Sequence, residues 1–530
     1  MRAMGTDFKG ICASDGLFMG TVRRLAATAQ TRQPAGDAHA ERLALKEAIA
    51  AAIAGIAQLM DQVSGDAQDM LAFQLAMLED DALAAPALMG VDSGLAADAA
   101  WNDAMNAEIA GYEASGDDYF RARAADLKDM RDRVLRHLSG AANEVPMAGA
   151  VLVGEDIGPT AFLEADWSKG GAIALTRGSG TSHVAMLARA RGIPMVVGLG
   201  DDQFMAARTL VVDGGSGTVI AEPDELELQH YHTQLAALSR SQAAQEQFRL
   251  RPAQRKSGER VDILINVAGV EELAQIDPAS CDGIGLMRSE FLFRDGAPLP
   301  DEDTQYRAYR HFLEWAGNKP VTIRTLDIGG DKPITGLTPE GETNPFLGLR
   351  GVRLTLAHQG VFRTQLRALA RAAVHGNLKV MIPMVTVPDE IARTAALLSA
   401  CMAELRQQGT PCKAPPLGIM VEVPAVAVTP ELFGEAAFFS IGSNDLTQYV
   451  TASSRDDARV ASLNDPAHPA VLRLITQVAR HGRETGTPVS LCGDMASDPR
   501  HVGALLAAGV TSLSVAPARI ALIKALIAEL

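Results

Sequence analysis

Two carboxylates, three arginines and a thiol stand at the ends of short apolar runs in the C-terminal half of this chain. Glu422 closes the run 417–423, and Asp445 follows the run 438–442. Two carboxylates at neighbouring strand ends, completed by water and substrate oxygens, suit Mg²⁺, an ion rarely held in an all-protein cage. The alternative is that each pairs with a nearby arginine. Arg288 and Arg324 end apolar runs of their own, and Arg455 follows the Asn444-Asp445 loop. Guanidinium is planar, permanently charged and matched to phosphate. One such arginine is usually structural. Three around a carboxylate pair point to phosphoryl transfer, where electrostatic stabilisation does most of the catalysis. Cys492 could be an acid, a nucleophile or a buried small hydrophobe, and the last is the plainest reading of an isolated thiol.

A separate element is Gly178-Ser179-Gly180-Thr181-Ser182-His183, which follows an apolar run and opens a predicted helix, Val184 to Arg191. Glycines let backbone approach an anion, and a helix N-terminus offers free N–H groups and positive potential. Imidazole is a competent nucleophile near neutral pH. His183 reads either as a nucleophile whose phosphorylated form is cradled there or as a cap.

These residues need positioning elements. Eight strand candidates fill the last 270 or so residues: 261–266, 283–288, 321–326, 378–384, 417–423, 438–442, 488–493 and 512–517, with helical segments between most of them. Eight βα units of this length predict a TIM (β/α)8 barrel, whose chemistry sits at the C-terminal ends of the strands. Asn266, Arg288-Ser289-Glu290, Arg324, Asp327, the loop Ile328-Gly329-Gly330-Asp331-Lys332, Glu422, Asn444-Asp445 and Cys492-Gly493-Asp494 all fall there. Short apolar runs between glycines at 151–153, 172–175, 195–197, 210–212 and 218–220 predict a small α/β domain around His183. Residues 1–22 read as a short strand with glycine turns. From 38 to 138 the period is helical. Ile49, Ile53, Ile56, Met60 and Val63 form one stripe, and Phe120, Ala124, Leu127, Met130, Val134 and Leu138 another, as in a packed bundle. The polar, Gln-rich stretch from 224 to 250 reads as a linker helix, and its basic end as a solvated face.

The fold class predicted is therefore a multidomain α/β chain. A small α/β domain around His183 occupies 1–22 and 141–223, with an inserted α-helical bundle at 23–140. A linker helix at 224–256 leads to a C-terminal TIM barrel at 257–530. The net charge of −16 argues against broad nucleic-acid binding. Five cysteines, without a CxxC pair, are neither a disulfide framework nor a zinc site and suggest a reducing cytoplasm. Asp7 and Lys9 interrupt any signal-like run, and the uncharged stretch 502–518 falls short of the ~20 apolar residues of a membrane span.

Together these motifs resemble Enzyme I of the bacterial sugar phosphotransferase system, the phosphoenolpyruvate–protein phosphotransferases. The resemblance rests on Thr181-Ser182-His183, the segment Gly283 to Leu292, Arg324 to Lys332, and Asn344-Pro345-Phe346-Leu347-Gly348. It continues through Phe362 to Ala368, Gly418 to Pro424, Phe439 to Tyr449, and Cys492 to Ala496. It spans nearly the whole chain and is weakest in the helical segment. It implies that His183 carries the phosphoryl group and that Arg288, Arg324 and Arg455 surround the phosphate. By the same resemblance Glu422 and Asp445 hold Mg²⁺, Asn444 touches the substrate, and Cys492 protonates the enolate carbon to give pyruvate. The bundle would dock the acceptor, the small histidine phosphocarrier protein (HPr). The phosphohistidine domain would swivel, and the chain would dimerise through the barrel.

Four positions depart from the family pattern. Asp15 stands where Pro is usual, Gly178-Ser179-Gly180 alters the glycine approach, Ser454 replaces the acid before Arg455, and Asp494 replaces a Glu. Ser454 leaves the role of Arg455 least constrained. The rival enzyme class makes phosphoenolpyruvate with ATP, and it needs a nucleotide module and a phosphate loop that this chain lacks. A degenerate binding module that senses a phosphocarrier is the rival from outside catalysis.

Overall fold

The structure is a computed structural model. It describes every residue except 1–5, 26–35, 61–62, 64–65, 115–117, 141–147, 181, 294–297, 331–333, 340 and 455–459. The chain forms two compact units, Met1–Leu238 and Ser239–Leu530.

The first unit opens with three strands, β1 (Thr6–Lys9), β2 (Ile11–Ser14) and β3 (Leu17–Arg24), where the sequence suggested one. Each owes its pairing to a distant partner, so no local period betrays it. Five helices follow: α1 (Ala38–Met60), α2 (Asp66–Glu79), α3 (Asp81–Asp92), α4 (Ala97–Glu113) and α5 (Asp118–Ser139). Then come β4 (Ala150–Gly154), α6 (Pro159–Glu164), β5 (Ala172–Leu175), α7 (His183–Arg191), β6 (Met195–Val197), β7 (Thr209–Asp213) and β8 (Thr218–Ala221). The eight strands make one mixed sheet in the order β1-β8-β7-β3-β4-β5-β6-β2. Thr6 pairs with Ala221, and Ile11 with Val197.

The bundle core follows the stripes. Ile49 and Ile56 are buried on α1, with Ile53, Met60 and Val63 packed at its margin. Leu127, Met130, Val134 and Leu138 of α5 meet them around the buried Trp101 and Met105. Ala124 is also buried, and the side chain of Phe120 lies outside the described residues. Each fully buried Leu or Ile contributes ~1.5–3 kcal/mol relative to exposure. By length and composition α1 could cross a membrane, yet here its apolar stripe lies in the bundle core.

The linker stretch forms α8 (Glu225–Glu246). The second unit is a closed barrel of eight parallel strands. They are β9 (Asp262–Val267), β10 (Ile284–Arg288), β11 (Pro320–Arg324), β12 (Asn377–Ile382), β13 (Leu417–Val421), β14 (Phe439–Ile441), β15 (Val489–Leu491) and β16 (Ser512–Val515). Closure comes from β16 pairing with β9, Leu513 opposite Ile263. All eight strands fall on the runs read from the sequence. Buried on both faces, parallel strands read as short apolar stretches. Helices such as Gln359–Ala372 turn Phe362, Leu366 and Leu369 onto the barrel wall. Lys524 Nζ donates to the carbonyls of Arg249, Arg251 and Ser280 at 2.8, 2.8 and 2.7 Å, fastening the end of the linker stretch to this unit.

Candidate active site

The barrel gathers a charged ring at the C-terminal ends of its strands. Arg324, the last residue of β11, is 7 % exposed. Its Nη2 lies 3.2 Å from Glu290 Oε2, and its Nη1 lies 2.9 Å from Asp327 Oδ2. Burial opposes its charge, but Glu290, Asp327 and Glu422 outweigh that and raise its pKa above the ordinary arginine value. Glu290 in turn accepts from the Asp327 backbone N–H at 2.8 Å.

Glu422 follows β13 and is buried. Its Oε1 accepts from the Met384 N–H at 2.7 Å, and no hydrogen bond from the described residues reaches Oε2. Burial first, then the charges of Asp445 and Asp327, push its pKa upward. Asp445 lies in the first turn of the helix Ser443–Thr451, and both of its oxygens face Arg350. Thus the pairing alternative raised for this carboxylate is realised, with an arginine the sequence reading had not singled out. Arg350 also reaches Asp327 and the Tyr449 hydroxyl. Its only sequence signal is its place two residues beyond Asn344–Gly348. It ends no strand, so strand-end reasoning passed over it.

These donors fit a hard cation. Three carboxylates crowd into a buried site whose charge raises the pKa of Glu422, and the donors are oxygens. Among the described residues no group of three or more His, Cys, Asp or Glu could hold a metal ion unaided. Mg²⁺ commonly keeps several waters, so one or two carboxylates suffice.

Arg288 ends β10, half-buried. Among the described residues it has no hydrogen bond or ion pair, and its charge reaches both Glu272 and Cys492. Asn444 exchanges two hydrogen bonds with Asp494, one of the departures from the family pattern. Its Nδ2 donates to Asp494 Oδ2, and the Asp494 N–H donates to its Oδ1, both at 2.9 Å. Arg455 lies outside the described residues, as do Asp331, Lys332 and Thr181.

Cys492 is 3 % exposed. It packs with Leu286, Met381, Met420 and Phe438, so the hydrophobe reading describes its surroundings correctly. Burial pushes its thiol up to about 11, so near neutral pH it holds its proton. Arg324, Arg288 and Glu422 all lie within electrostatic reach of it. Asn266, the polar end of β9, donates to the Cys492 carbonyl at 3.0 Å and accepts from Ser514 Oγ at 2.7 Å. Sequence reasoning placed Asn266 at the mouth without seeing that it holds the thiol's backbone.

The histidine element belongs to the first unit. His183 is the first residue of α7, and Ser182 is the N-cap, accepting from the Ala185 N–H at 3.2 Å. Gly178 has φ +105°, a backbone favouring glycine. At Gly180 a Cβ would press on the Cys12 carbonyl at 3.2 Å. Arg189 Nη1 ties this approach down, donating to the carbonyls of Ala13 and Gly180 at 2.6 and 2.8 Å. The His183 ring is 33 % exposed, and its Nδ1 lies 3.5 Å from Asp126 Oδ1 of α5.

Three family models match this chain. Residues 242–530 match the PEP-utilising enzyme PEP-binding domain, 9–123 the N-terminal domain of PEP-utilising enzymes, and 146–217 their mobile domain. A protein of Geobacillus stearothermophilus named phosphoenolpyruvate-protein phosphotransferase is 37 % identical over 536 residues, covering 97 % of this chain and 92 % of the relative. A protein of the same name from Listeria monocytogenes is 34 % identical over 543 residues, covering 99 % and 95 %. A multiphosphoryl transfer protein of Rhodobacter capsulatus is 36 % identical over 454 residues, covering 84 % of this chain and 54 % of that protein.

Proposed function

Because this chain belongs to the family of phosphoenolpyruvate–protein phosphotransferases, we propose that it takes a phosphoryl group from phosphoenolpyruvate onto its own His183. Pyruvate is released, and the group passes to the histidine of a small phosphocarrier protein, HPr, as the first step of a sugar phosphotransferase system. The observation that carries this reading is Arg288, a half-buried guanidinium at the barrel mouth with no partner among the described residues, beside Arg324 and within electrostatic reach of the buried Cys492. An unpaired cation in that place suits a polyanionic substrate.

Each residue then has a task. Arg288 and Arg324, with Arg455, bind the phosphate, and Asn444 orients the substrate. Glu422 and Asp445 would hold Mg²⁺, which supplies positive charge to the phosphoryl oxygens when bound. As the phosphoryl group leaves for His183, its P–O electron pair stays with the enolate. Cys492 gives up its S–H proton to the enolate carbon, and the thiolate recovers a proton from solvent. The raised thiol pKa supports this role, since a thiolate would have no proton to give.

In this reading residues 1–22 and 141–223 carry the phosphohistidine, 23–140 dock HPr, 224–256 form the hinge and 257–530 bind phosphoenolpyruvate. Swivelling about the hinge lets His183 serve both donor and acceptor. The protein would work in the cytoplasm as a homodimer through the barrel. The test is incubation with labelled phosphoenolpyruvate and Mg²⁺. Acid-labile, base-stable label on wild type, absent from His183→Ala, is expected. Unlabelled wild type would overturn the reading in favour of a binding module, and label persisting in His183→Ala would overturn the site.

A further inference from the structure

Branched apolar side chains usually fill the inside of such a barrel, but two hydroxyls lie beneath Cys492. Side chains two apart along a strand share a face, so Ser490 of β15 faces the same way as Cys492, nearer the N-terminal end. Ser440 of β14 stands opposite Ser490 in the register. The Ser490 hydroxyl donates to Ser440 Oγ at 3.1 Å. Ser440 and Cys492 are buried, and Ser490 is half-buried. At the same end the half-buried Lys379 places its ammonium 5.5 Å from the centre of the Phe438 ring.

The thiol packs among apolar neighbours, Leu286, Met381, Met420 and Phe438. Its S–H donates to the Ile441 carbonyl at 3.6 Å, and Ser440 is the residue before. Burial raises the thiol pKa, and a hydrogen bond with the Ser440 side chain is the largest effect against that. A hydroxyl has one hydrogen to give and can accept as well. With Ser490 donating to Ser440, the Ser440 hydrogen is left for the sulfur. The three groups form a row from a half-exposed hydroxyl to a buried thiol.

We propose that Ser490 and Ser440 are a hydroxyl relay that returns a proton to the Cys492 sulfur from the N-terminal end of the barrel, the face opposite the charged mouth. The inference rests on the proposed role of Cys492 as proton donor to the enolate carbon, and it names how that donor is recharged. Once the proton has gone to carbon, the sulfur keeps the electron pair of the broken S–H bond. The sulfur takes the Ser440 hydroxyl proton, Ser440 Oγ takes that of Ser490, and Ser490 Oγ takes one from water. The net change is one proton moved from solvent to sulfur, with the hydroxide neutralised by the buffer. Rotation about each Cβ–Oγ bond resets the row. Substrate or product seated at the mouth leaves this route open.

Hydrogen exchange at the sulfur tests this on the full chain. After transfer from H2O into D2O, infrared spectra follow the S–H stretching band of Cys492, identified by its absence from Cys492→Ser. Exchange is expected to be about tenfold or more slower in Ser440→Ala and in Ser490→Ala than in wild type. Ser490→Thr, which keeps a hydroxyl, is expected to restore it. Equal rates in wild type and both alanine variants would overturn the inference, and so would a Ser490→Thr as slow as Ser490→Ala. In parallel, protein equilibrated in D2O is mixed with a smaller amount of phosphoenolpyruvate and Mg²⁺ in H2O, and deuterium in the pyruvate methyl group is measured. The alanine variants are expected to deliver more deuterium than wild type. Slowed exchange without that gain would fail the parent assignment of Cys492 as donor, while the relay to its sulfur stands.

Discussion

Arg350 and Asp445 meet end-on, Nη1 to Oδ1 at 3.1 Å and Nη2 to Oδ2 at 2.9 Å. The same guanidinium reaches Asp327 on its other side, so one arginine bridges two carboxylates at the barrel mouth. Arg350→Ala would leave both buried and crowded against Glu422. Breaking a buried pair costs about 3–5 kcal/mol, and a fall of that order in the unfolding free energy of the barrel unit is expected by denaturant titration. Arg350→Lys retains the charge but cannot form the fork. It should fold and yet lose most labelling by phosphoenolpyruvate.

Glu422→Gln and Asp445→Asn keep shape and remove negative charge. Each is expected to abolish labelling of His183 at any practical Mg²⁺ concentration, and chelation should do the same to wild type. A labelling rate unchanged in either variant would reject these two residues as the metal's ligands.

The Cys492 thiol makes a pH-dependent contribution to stability. Its pKa rises from about 8.5 unfolded to about 11 folded, because burial disfavours the thiolate. A folded value above the unfolded one gives stability that is fully present below the unfolded pKa. That stability is lost as pH climbs through the folded pKa, at up to ~1.4 kcal/mol per pH unit. Wild type should therefore lose more stability than Cys492→Ser between about pH 8.5 and 11, measured on the barrel unit's unfolding transition. The same variant, and Cys492→Ala, should impair pyruvate formation at neutral pH with the fold intact. Normal turnover would return Cys492 to a packing role.

Asn444 has its amide engaged at both ends by Asp494. Asp494→Ala removes the acceptor of Asn444 Nδ2 while its backbone N–H still donates to Oδ1, and should loosen that amide and raise the KM for phosphoenolpyruvate about tenfold or less, with little change in thermal stability, since Asp494 is exposed. Equal KM values would separate Asn444 from substrate binding.

The barrel was legible in the residues alone. Its parallel strands are buried on both faces, so each announces itself as an apolar run, and a run that stops at Asn266, Arg288, Arg324 or Glu422 places that side chain at the mouth. The α1 and α5 stripes were legible for a similar reason, because helical burial is written at a period of 3.6. In both cases the information is local. What tertiary structure alone decided is which distant segments meet. The pairing of β1 with β8 joins residues more than 200 positions apart. Arg350 comes to Asp445 from a loop that ends no strand, and the carboxylate facing His183 comes from a helix whose pattern speaks only of packing. The pairing of buried charges at a barrel mouth is a condition on three-dimensional neighbours. No spacing along the chain expresses it.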